Sequence, residues 1–552
     1  MSSAARGTSA PDAAERPREE WTGQLGFILA AIGSAVGLGN IWRFPGVAYE
    51  NGGGAFLIPY LVALITAGIP ILFLDYAIGH RFRGAAPTAF RRLGGPRHGR
   101  WLEGLGWFQV AIAFVIGLYY TAVIAWAASF FIFSFDLRWG DDTQAFLLNE
   151  YLQVGEPGFS LEFVPGVLIP LAIVWIAVIA VLAAGVAKGI QRANLIFLPL
   201  LVVAFLILVV RALFLDGAAD GLNALFTPDW AALANPDVWI AAYSQIFFSL
   251  SIAFGIMITY ASYRRRRANL TGPGLVVAFS NSSFEILAGI GVFATLGFFA
   301  FEQNVSVADL EGLTGVGLSF ITFPAIVSQM PGGPILSVLQ VVTAAIQEKT
   351  GLSPRRAAVA LGVVSAILSI LLFSTTTGLI ALDTTDHWAN NIGIVASAIA
   401  TSVLVIWVLR KGGELRFHLN AVSTFRVGRV WVFLVGGLAP VVLTYMLVTR
   451  IIALLIDGYE GYPGEYLAVV GWGTVLLLVV AAEQFLGQPQ HAAEVRLRQA
   501  QQRHDDEQRV VDRDLLDEVA LRAELHHLLD VLLGELVNAG LEHSHRLGAE
   551  PI

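Results

Sequence analysis

The sequence of 552 residues contains no cysteine, and only 14% of its residues are charged. Without cysteine the chain can form neither a disulfide nor a thiolate metal site. The low charge, together with 56% hydrophobic residues and a mean hydropathy of +0.68, excludes an ordinary soluble protein. Apolar runs of membrane-spanning length recur along the chain, and they predict a polytopic, all-α membrane protein.

Signatures of catalysis are also missing from the sequence. The glycine-rich stretch GGGAF at 52–56 lacks the Lys-Ser/Thr that a nucleotide-phosphate loop requires, and the chain has no zinc motif. No convincing pair of nucleophile and base is evident. We therefore expect a protein that is not an enzyme, has no organic cofactor and has no nucleic-acid partner.

Twelve apolar segments predict twelve membrane spans. They lie at 25–49, 55–78, 105–135, 164–186, 195–214, 238–262, 274–300, 334–346, 357–373, 392–409, 430–448 and 467–485.

The connections between these segments alternate in charge. Basic clusters occupy the start of the chain and every second connection, at 16–18, 81–100, 188–192, 264–267, 355–356 and 410–429. The other connections are acidic, at 136–162, 216–237, 302–311, 383–386 and 457–465. Because cytoplasmic loops are rich in Lys and Arg, we expect both termini in the cytoplasm of a cell-membrane protein.

Two of the apolar segments contain residues that disfavour a continuous helix in lipid. The first carries Gly33-Ser-Ala-Val-Gly-Leu-Gly-Asn40, and the sixth carries Ser249-Leu-Ser-Ile-Ala-Phe-Gly255. A break at membrane depth frees backbone groups, which must find partners there. Two interrupted spans are typical of secondary transporters, which bind an ion and a polar solute at such breaks.

The positions of the broken spans, first and sixth, predict two inverted-topology repeats of five helices. The repeats cover 21–214 and 238–410, and together they form a transport core at 21–410. Two accessory helices follow at 411–486. Polar tails at 1–20 and 487–552 are expected in the cytoplasm, and the apolar spacing of the second predicts an amphipathic helix.

Several motifs, in this order along the chain, resemble the neurotransmitter:sodium symporter family, in particular its prokaryotic amino-acid transporters of the bacterial leucine transporter type. They are Ser34-Ala-Val-Gly-Leu-Gly-Asn-Ile-Trp-Arg-Phe-Pro45, Glu50-Asn-Gly-Gly-Gly-Ala-Phe56, Tyr119-Tyr120, Lys188-Gly-Ile190, Gln245-Ile-Phe-Phe-Ser-Leu-Ser251 and Thr259-Tyr-Ala-Ser-Tyr263. The resemblance implies a symporter that imports an apolar or aromatic amino acid with one or two sodium ions. A homodimer is left open.

The resemblance also implies the positions of the sodium and substrate sites. The first sodium site would use Ala35, Asn40, Ser249 and Asn281, and the second would use carbonyls of Gly33 and Val36 with ligands from the eighth helix. The amino acid would contact Ala35, Leu38, Gly39, Ile116, Tyr120, Val123, Phe248, Ser249, Ser251, Phe254 and Val338.

Gates and anion dependence follow from the same resemblance. Arg43 and Asp386, with Gln245 nearby, would form the outer gate, and Arg18 and Glu348, with Trp21 and Tyr263, would form the inner gate. Family members that need chloride carry a small polar residue where this chain has Glu285. A fixed carboxylate there implies a chloride-independent transporter.

The eighth span departs from the family pattern. Its about 13 apolar positions give roughly 20 Å of helix, against about 30 Å of hydrocarbon. Three explanations of the short span compete. It is a natural variant with an altered second sodium site, the product of a deletion in the sequence, or a sign that the protein binds without completing transport. The alternative function is therefore a transport-impaired membrane protein that binds or senses an amino acid.

Overall fold

The computed structural model describes residues 21, 23–36, 40, 43–133, 138, 145–183, 199, 202–203, 205–206, 209–210, 212–310 and 354–484. These residues belong to one unit, which ends at Leu486. Its main helices are α1 Gln24–Ala35, α2 Phe44–Glu50, α3 Gly54–Phe82, α4 Ala86–Phe133, α5 Pro165–Ala183, α6 Ala218–Phe226, α7 Pro236–Ser249, α8 Ile256–Ser262, α9 Thr271–Gln303, α10 Pro354–Phe373, α11 Gly378–Val408, α12 Gly412–Val422, α13 Arg429–Ile456 and α14 Gly464–Gln484.

This architecture confirms the predicted all-α membrane fold. Within the described ranges, seven helices are long and apolar enough to cross a membrane. Helices cover the first four predicted spans and the sixth, seventh and ninth to twelfth. Part of the fifth span, the whole eighth span at 334–346 and the tail at 487–552 lie outside the described residues.

Both predicted helix breaks are present. Helix α1 ends at Ala35, Val36 is extended with φ −79° and ψ 109°, and α2 starts at Phe44. Helix α7 ends at Ser249, and φ is positive at Ser251 (52°), Ala253 (66°) and Gly255 (84°) before α8 begins. The last carbonyls of a helix have no partner within it. Each break therefore presents main-chain oxygens inside the protein.

Two connections of each charge meet at their own end of the helices. At the basic end, Arg81 pairs with Glu414 at 2.8 Å, and His80 Nδ1 lies 2.9 Å from His418 Nε2. At the acidic end, Phe163 and Thr375 form an isolated bridge between the third and ninth predicted connections. These contacts agree with the charge pattern for the connections that they join.

Close helix packing holds the second span against the inner half of the sixth. A Cβ built at Gly79 of α3 would lie 2.0 Å from the Ile258 carbonyl oxygen of α8. Glycine is therefore needed at this contact, as is usual where membrane helices approach closely. The same applies to Gly221 of α6, whose Cβ would lie 1.7 Å from the Phe293 oxygen of α9.

Two helices extend beyond the predicted apolar segments. Helix α11 starts at Gly378 rather than 392, so Asp383 and Asp386 lie in a helix instead of in a loop. Both side chains have hydrogen-bond partners: Tyr459 donates to Asp383 at 3.1 Å, and Asn390 donates to Asp386 at 2.8 Å. Helix α4 likewise begins at Ala86 rather than 105, and the non-helical backbone at Gly95 kinks it.

Candidate sodium and substrate site

The break between α7 and α8 is held by contacts with three other helices. Asp75 of α3 accepts a hydrogen bond from the Ala253 amide at 3.0 Å, and Ser397 of α11 donates to the Ala253 oxygen at 2.6 Å. The Ser251 hydroxyl donates to the Ser34 oxygen of α1 at 2.9 Å, which joins the two broken spans directly. The exposed backbone groups of the break thus acquire fixed partners, as membrane burial requires.

The predicted first sodium site brings together Asn40, Asn281 and Ser249. Asn40 Nδ2 donates to Asn281 Oδ1 at 2.7 Å, and Asn281 Nδ2 donates to Ser249 Oγ at 3.0 Å. All three side chains are buried. Ala35, the fourth predicted ligand, is buried at the end of α1. The proximity expected for the three side chains is therefore present between the first break, α7 and α9.

This donor set fits a hard monovalent cation. Amide, hydroxyl and carbonyl oxygens supply dipoles without a full charge cage. The orientation of an amide follows from its hydrogen bonds. Rotation of the Asn40 amide by half a turn would place its oxygen beside Asn281 Oδ1, so the two amides can offer oxygens to one ion.

Glu285 lies next to these residues and collects hydrogen bonds. Gln245 Nε2 donates to its Oε1 at 2.5 Å, while Asn281 Nδ2 (3.3 Å), Ser249 Oγ (3.4 Å) and the Tyr60 hydroxyl donate to Oε2. The carboxylate is fully buried. Two of its donors, Asn281 and Ser249, are also predicted sodium ligands. The charge of Glu285 is thus connected directly to the sodium site.

Gln245, expected near the outer gate, donates a hydrogen bond from its amide nitrogen to Glu285. Tyr60 was not among the predicted site residues, although a tyrosine within an apolar span is an available signal. Tyr60 is fully buried, and its hydroxyl lies 2.8 Å from Ser282 Oγ as well as donating to Glu285.

The predicted substrate-lining residues share one buried cluster. Its members include the apolar side chains of Ile116, Val123, Phe248 and Phe254, together with Tyr120. The Tyr120 and Phe248 rings lie 6.0 Å apart between centroids. The structure therefore places the Tyr120 ring of α4 beside Phe248 at the end of α7. Leu38, Gly39 and Val338, also predicted to bind substrate, lie outside the described residues.

The outer gate differs from a simple ion pair. The guanidinium of Arg43 lies over the Phe248 ring, 4.5 Å from its centroid. Asp386 instead accepts hydrogen bonds from Asn390 and Tyr119. Among the side chains that the structure describes, no ion pair joins Arg43 to Asp386. In this conformation the Arg43 guanidinium lies over the Phe248 ring rather than beside the Asp386 carboxylate.

The inner gate is described in part. The Trp21 amide donates to the Tyr263 oxygen at 3.3 Å, and its indole nitrogen donates to the Tyr260 oxygen at 3.0 Å. These contacts fix the start of the first span on the end of α8. Arg18 and Glu348, the predicted charged pair, lie outside the described residues.

The second sodium site is likewise described on one side only. Gly33 and Val36 are both buried at the end of α1. The helix ends at Ala35, so carbonyls in its last turn have no further helical donor. The eighth helix, which would supply the remaining ligands, is not among the described residues.

Comparison with known proteins gives consistent matches. The family model described as sodium:neurotransmitter symporter family matches residues 18–153 and 140–488. An uncharacterised sodium-dependent transporter of Methanocaldococcus jannaschii is 38% identical over 468 residues, which cover 81% of this chain and 94% of that protein. The sodium-dependent serotonin transporter of Drosophila melanogaster is 33% identical over 353 residues, which cover 59% of this chain and 56% of that protein.

A solved structure is similar as well. The crystal structure of MhsT in complex with L-phenylalanine matches with a TM-score of 0.66 and 31% sequence identity. The match covers 78% of this chain and 99% of that one.

Proposed function

Because this chain belongs to the sodium:neurotransmitter symporter family, we propose that it imports an apolar or aromatic amino acid together with sodium and without chloride. The chain is a multi-pass membrane protein of a sodium-dependent transporter family, as the family match and its long apolar helices indicate. The observation that carries the finer proposal is the contact of Asn40, Asn281 and Ser249 between the two broken spans.

The proposed substrate class rests on the chemistry of the site. Ile116, Val123, Phe248 and Phe254 offer apolar surface, which suits an aliphatic or aromatic side chain. The solved relative MhsT was crystallised with L-phenylalanine. The helix ends at the breaks supply partial charges for a zwitterion, positive where a helix begins and negative where one ends. Leu38 and Gly39 stay proposed ligands of the carboxylate, and Ala35, Ser249 and Ser251 of the ammonium group.

Chloride independence is proposed from Glu285. Its buried carboxylate already occupies the point on which four donors converge. Those donors would otherwise favour a bound anion, because unsatisfied buried donors are costly. The fixed carboxylate of Glu285 therefore replaces a bound chloride ion beside the first sodium ion. Two sodium ions are proposed in total, with Gly33 and Val36 at the second site.

The proposed orientation follows from charge. Arg81 pairs with Glu414 and Arg83 donates to the Ser262 oxygen, which brings three basic connections to one end, and Trp21 lies at that same end through its contact with Tyr263. By the positive-inside rule this end is cytoplasmic, and so are both termini. We assign the core to 21–410, with repeats at 21–214 and 238–410, accessory spans at 411–486 and tails at 1–20 and 487–552.

The proposed cycle alternates between the two gates. With the Arg43 side chain over Phe248, the outer path is closed above the substrate cluster. Release of Trp21 from α8 would open the inner path. Because sodium and the amino acid share ligands at the breaks, both are needed to stabilise the closed arrangement between these states.

Uptake in proteoliposomes tests this function. Vesicles containing the full chain receive radiolabelled L-phenylalanine or L-leucine, with an inward sodium gradient or an equal potassium gradient. We expect accumulation above the external concentration with sodium only, unchanged when gluconate replaces chloride. Binding without accumulation would support the alternative of a transport-impaired binding or sensing protein, and uptake without sodium would overturn the proposal.

A further inference from the structure

A cavity of about 320 Å³ lies between α4, α10, α11 and α14. Its wall is mainly apolar and includes Leu118 of α4, Leu371 and Leu372 of α10 and Leu477 of α14. A cavity of this size and lining falls within the range of ligand-binding pockets, though at its lower end. If the cavity were empty, these side chains would have no dispersion contacts on one side.

The cavity is distinct from the amino-acid site. Helix α4 presents Tyr120 to the Phe248 ring of the candidate substrate site, whereas Leu118 lines the cavity. Residues two apart in a helix are rotated by about 200°, so Leu118 lies on the opposite side of α4. The two sites are therefore on opposite faces of one helix.

The mouth of the cavity lies on the outer surface of the helices. Several wall residues are also exposed there: Leu371 is 44% exposed, Leu372 41%, Leu477 53% and Val469 59%. Helix α14 is the least buried of the apolar spans that the structure describes, since only 22% of its most apolar stretch is buried inside the protein. At this depth the surrounding medium is lipid hydrocarbon rather than water.

One end of the cavity is polar. Ser160, Thr375 and Thr377 line it at the acidic end of the helices. The hydroxyls of Thr375 and Thr377 lie 3.3 Å apart, and Thr376 donates to Ser160 at 3.0 Å. Among the described residues, the lining includes no Asp, Glu, Lys or Arg side chain. An uncharged hydroxyl end above an apolar body matches the ester region and acyl chain of a lipid.

From this geometry we infer that one acyl chain of a bilayer phospholipid occupies the cavity. The chain enters between α10 and α14, with its ester region at the hydroxyl end. It also contacts the scaffold of the outer gate, because Thr385 lines the cavity next to Asp386. Ser369 of α10 donates to the Leu118 oxygen at 2.7 Å, which ties the same wall to α4 just before Tyr119 and Tyr120.

Photo-crosslinking in proteoliposomes tests this inference. The full chain is reconstituted with phosphatidylcholine that carries a diazirine in its acyl chain, irradiated, digested and mapped by mass spectrometry. We expect adducts to be enriched on the segments 368–372 and 469–477. The reference is the lipid-exposed face of α13 around Val441 and Tyr445. Labelling equal to that face would overturn the inference.

A filling variant gives a second readout. A Cβ at Gly473, which lines the cavity, meets only the Ala468 oxygen at 3.9 Å, so Gly473→Phe can place its ring in the cavity without displacing backbone. Gly158→Phe fills the hydroxyl end, where a Cβ meets nothing within 4 Å. We expect both variants to lose the enrichment. The matched control is Gly166→Phe, at an exposed position with equally open space, which should keep it.

Other outcomes count against the inference. Unchanged labelling in both filling variants would place the lipid elsewhere. If the segments 368–372 and 469–477 are labelled less than α13, and two protein chains become crosslinked to each other, a second copy of the chain covers the mouth of the cavity. None of these readouts requires transport, so failure of the inference is distinguishable from failure of the proposed sodium symport.

Discussion

Replacement of Glu285 by serine tests how the site balances charge. Glu285→Ser removes the acceptor from four donors, of which Gln245 at 2.5 Å and Tyr60 are the nearest. Hydrogen bonds to a charged group contribute about 1.5–3 kcal/mol each, so losing these two costs about 3–6 kcal/mol. At about 1.4 kcal/mol per factor of ten, sodium-driven uptake should fall roughly 100- to 10,000-fold without chloride.

The assay is uptake of radiolabelled L-phenylalanine into proteoliposomes in sodium gluconate and in sodium chloride. Chloride can enter the space of the lost carboxylate and accept the same donors, so uptake by Glu285→Ser should recover in chloride. Glu285→Gln is the matched control, because it fills the space without a charge and should not be rescued. Indifference of Glu285→Ser to chloride, or a chloride requirement in the unaltered protein, would refute the reasoning.

Three further changes probe the gate and the packing. Arg43→Gln removes the cation 4.5 Å from Phe248; cation–π contacts are worth about 0.5–2 kcal/mol, so bound amino acid should dissociate roughly 2- to 30-fold faster in a wash-out assay. Burial, and then nearby imidazole and arginine groups, hold the pKa of His418 well below its usual value. The unfolded chain then binds the proton first as the pH falls, so thermal stability should be full above about pH 6.5 and decrease below it by up to about 1.4 kcal/mol per pH unit. Gly79→Ala places a methyl group 2.0 Å from the Ile258 oxygen, and overpacking of this kind should lower the free energy of unfolding by about 1–3 kcal/mol.

Each of these changes has a control. Arg43→Lys keeps a cation and should dissociate amino acid more slowly than Arg43→Gln. His418→Asn should flatten the stability profile below pH 6.5, and an unchanged profile would contradict the assignment. Gly413→Ala adds a methyl group where a Cβ meets nothing within 4 Å, so its melting temperature should not fall. Equal melting temperatures for Gly79→Ala and Gly413→Ala would refute the packing argument.

The broken spans were predictable because their residues are locally unsuited to a lipid-facing helix. Gly33 to Asn40 and Ser249 to Gly255 combine glycine, serine and asparagine within otherwise apolar segments. Residues of this kind interrupt a helix without help from distant partners, so local composition was informative. The contact between Asn40 and Asn281 also followed, because the family resemblance implied that both residues belong to one sodium site.

The acidic residues of α11 and the partners of Glu285 were harder to predict. Hydropathy places Asp383 and Asp386 outside the membrane, because it ignores partners that come from distant parts of the chain. Tyr459 is 76 residues from Asp383, and Tyr60 is 225 residues from Glu285. Such pairs depend on tertiary packing that a single sequence does not display.

The most direct test of the account is a sodium titration of amino-acid binding to the purified full chain. We predict that the affinity for L-phenylalanine rises with sodium in the unaltered protein. Asn281→Ala should raise the dissociation constants of both ligands, because linkage between two bound ligands is reciprocal. Asn420→Ala, which removes an amide that contacts Val427 rather than the site, should leave both unchanged. An Asn281→Ala protein with undiminished sodium dependence would contradict the shared site between the broken helices.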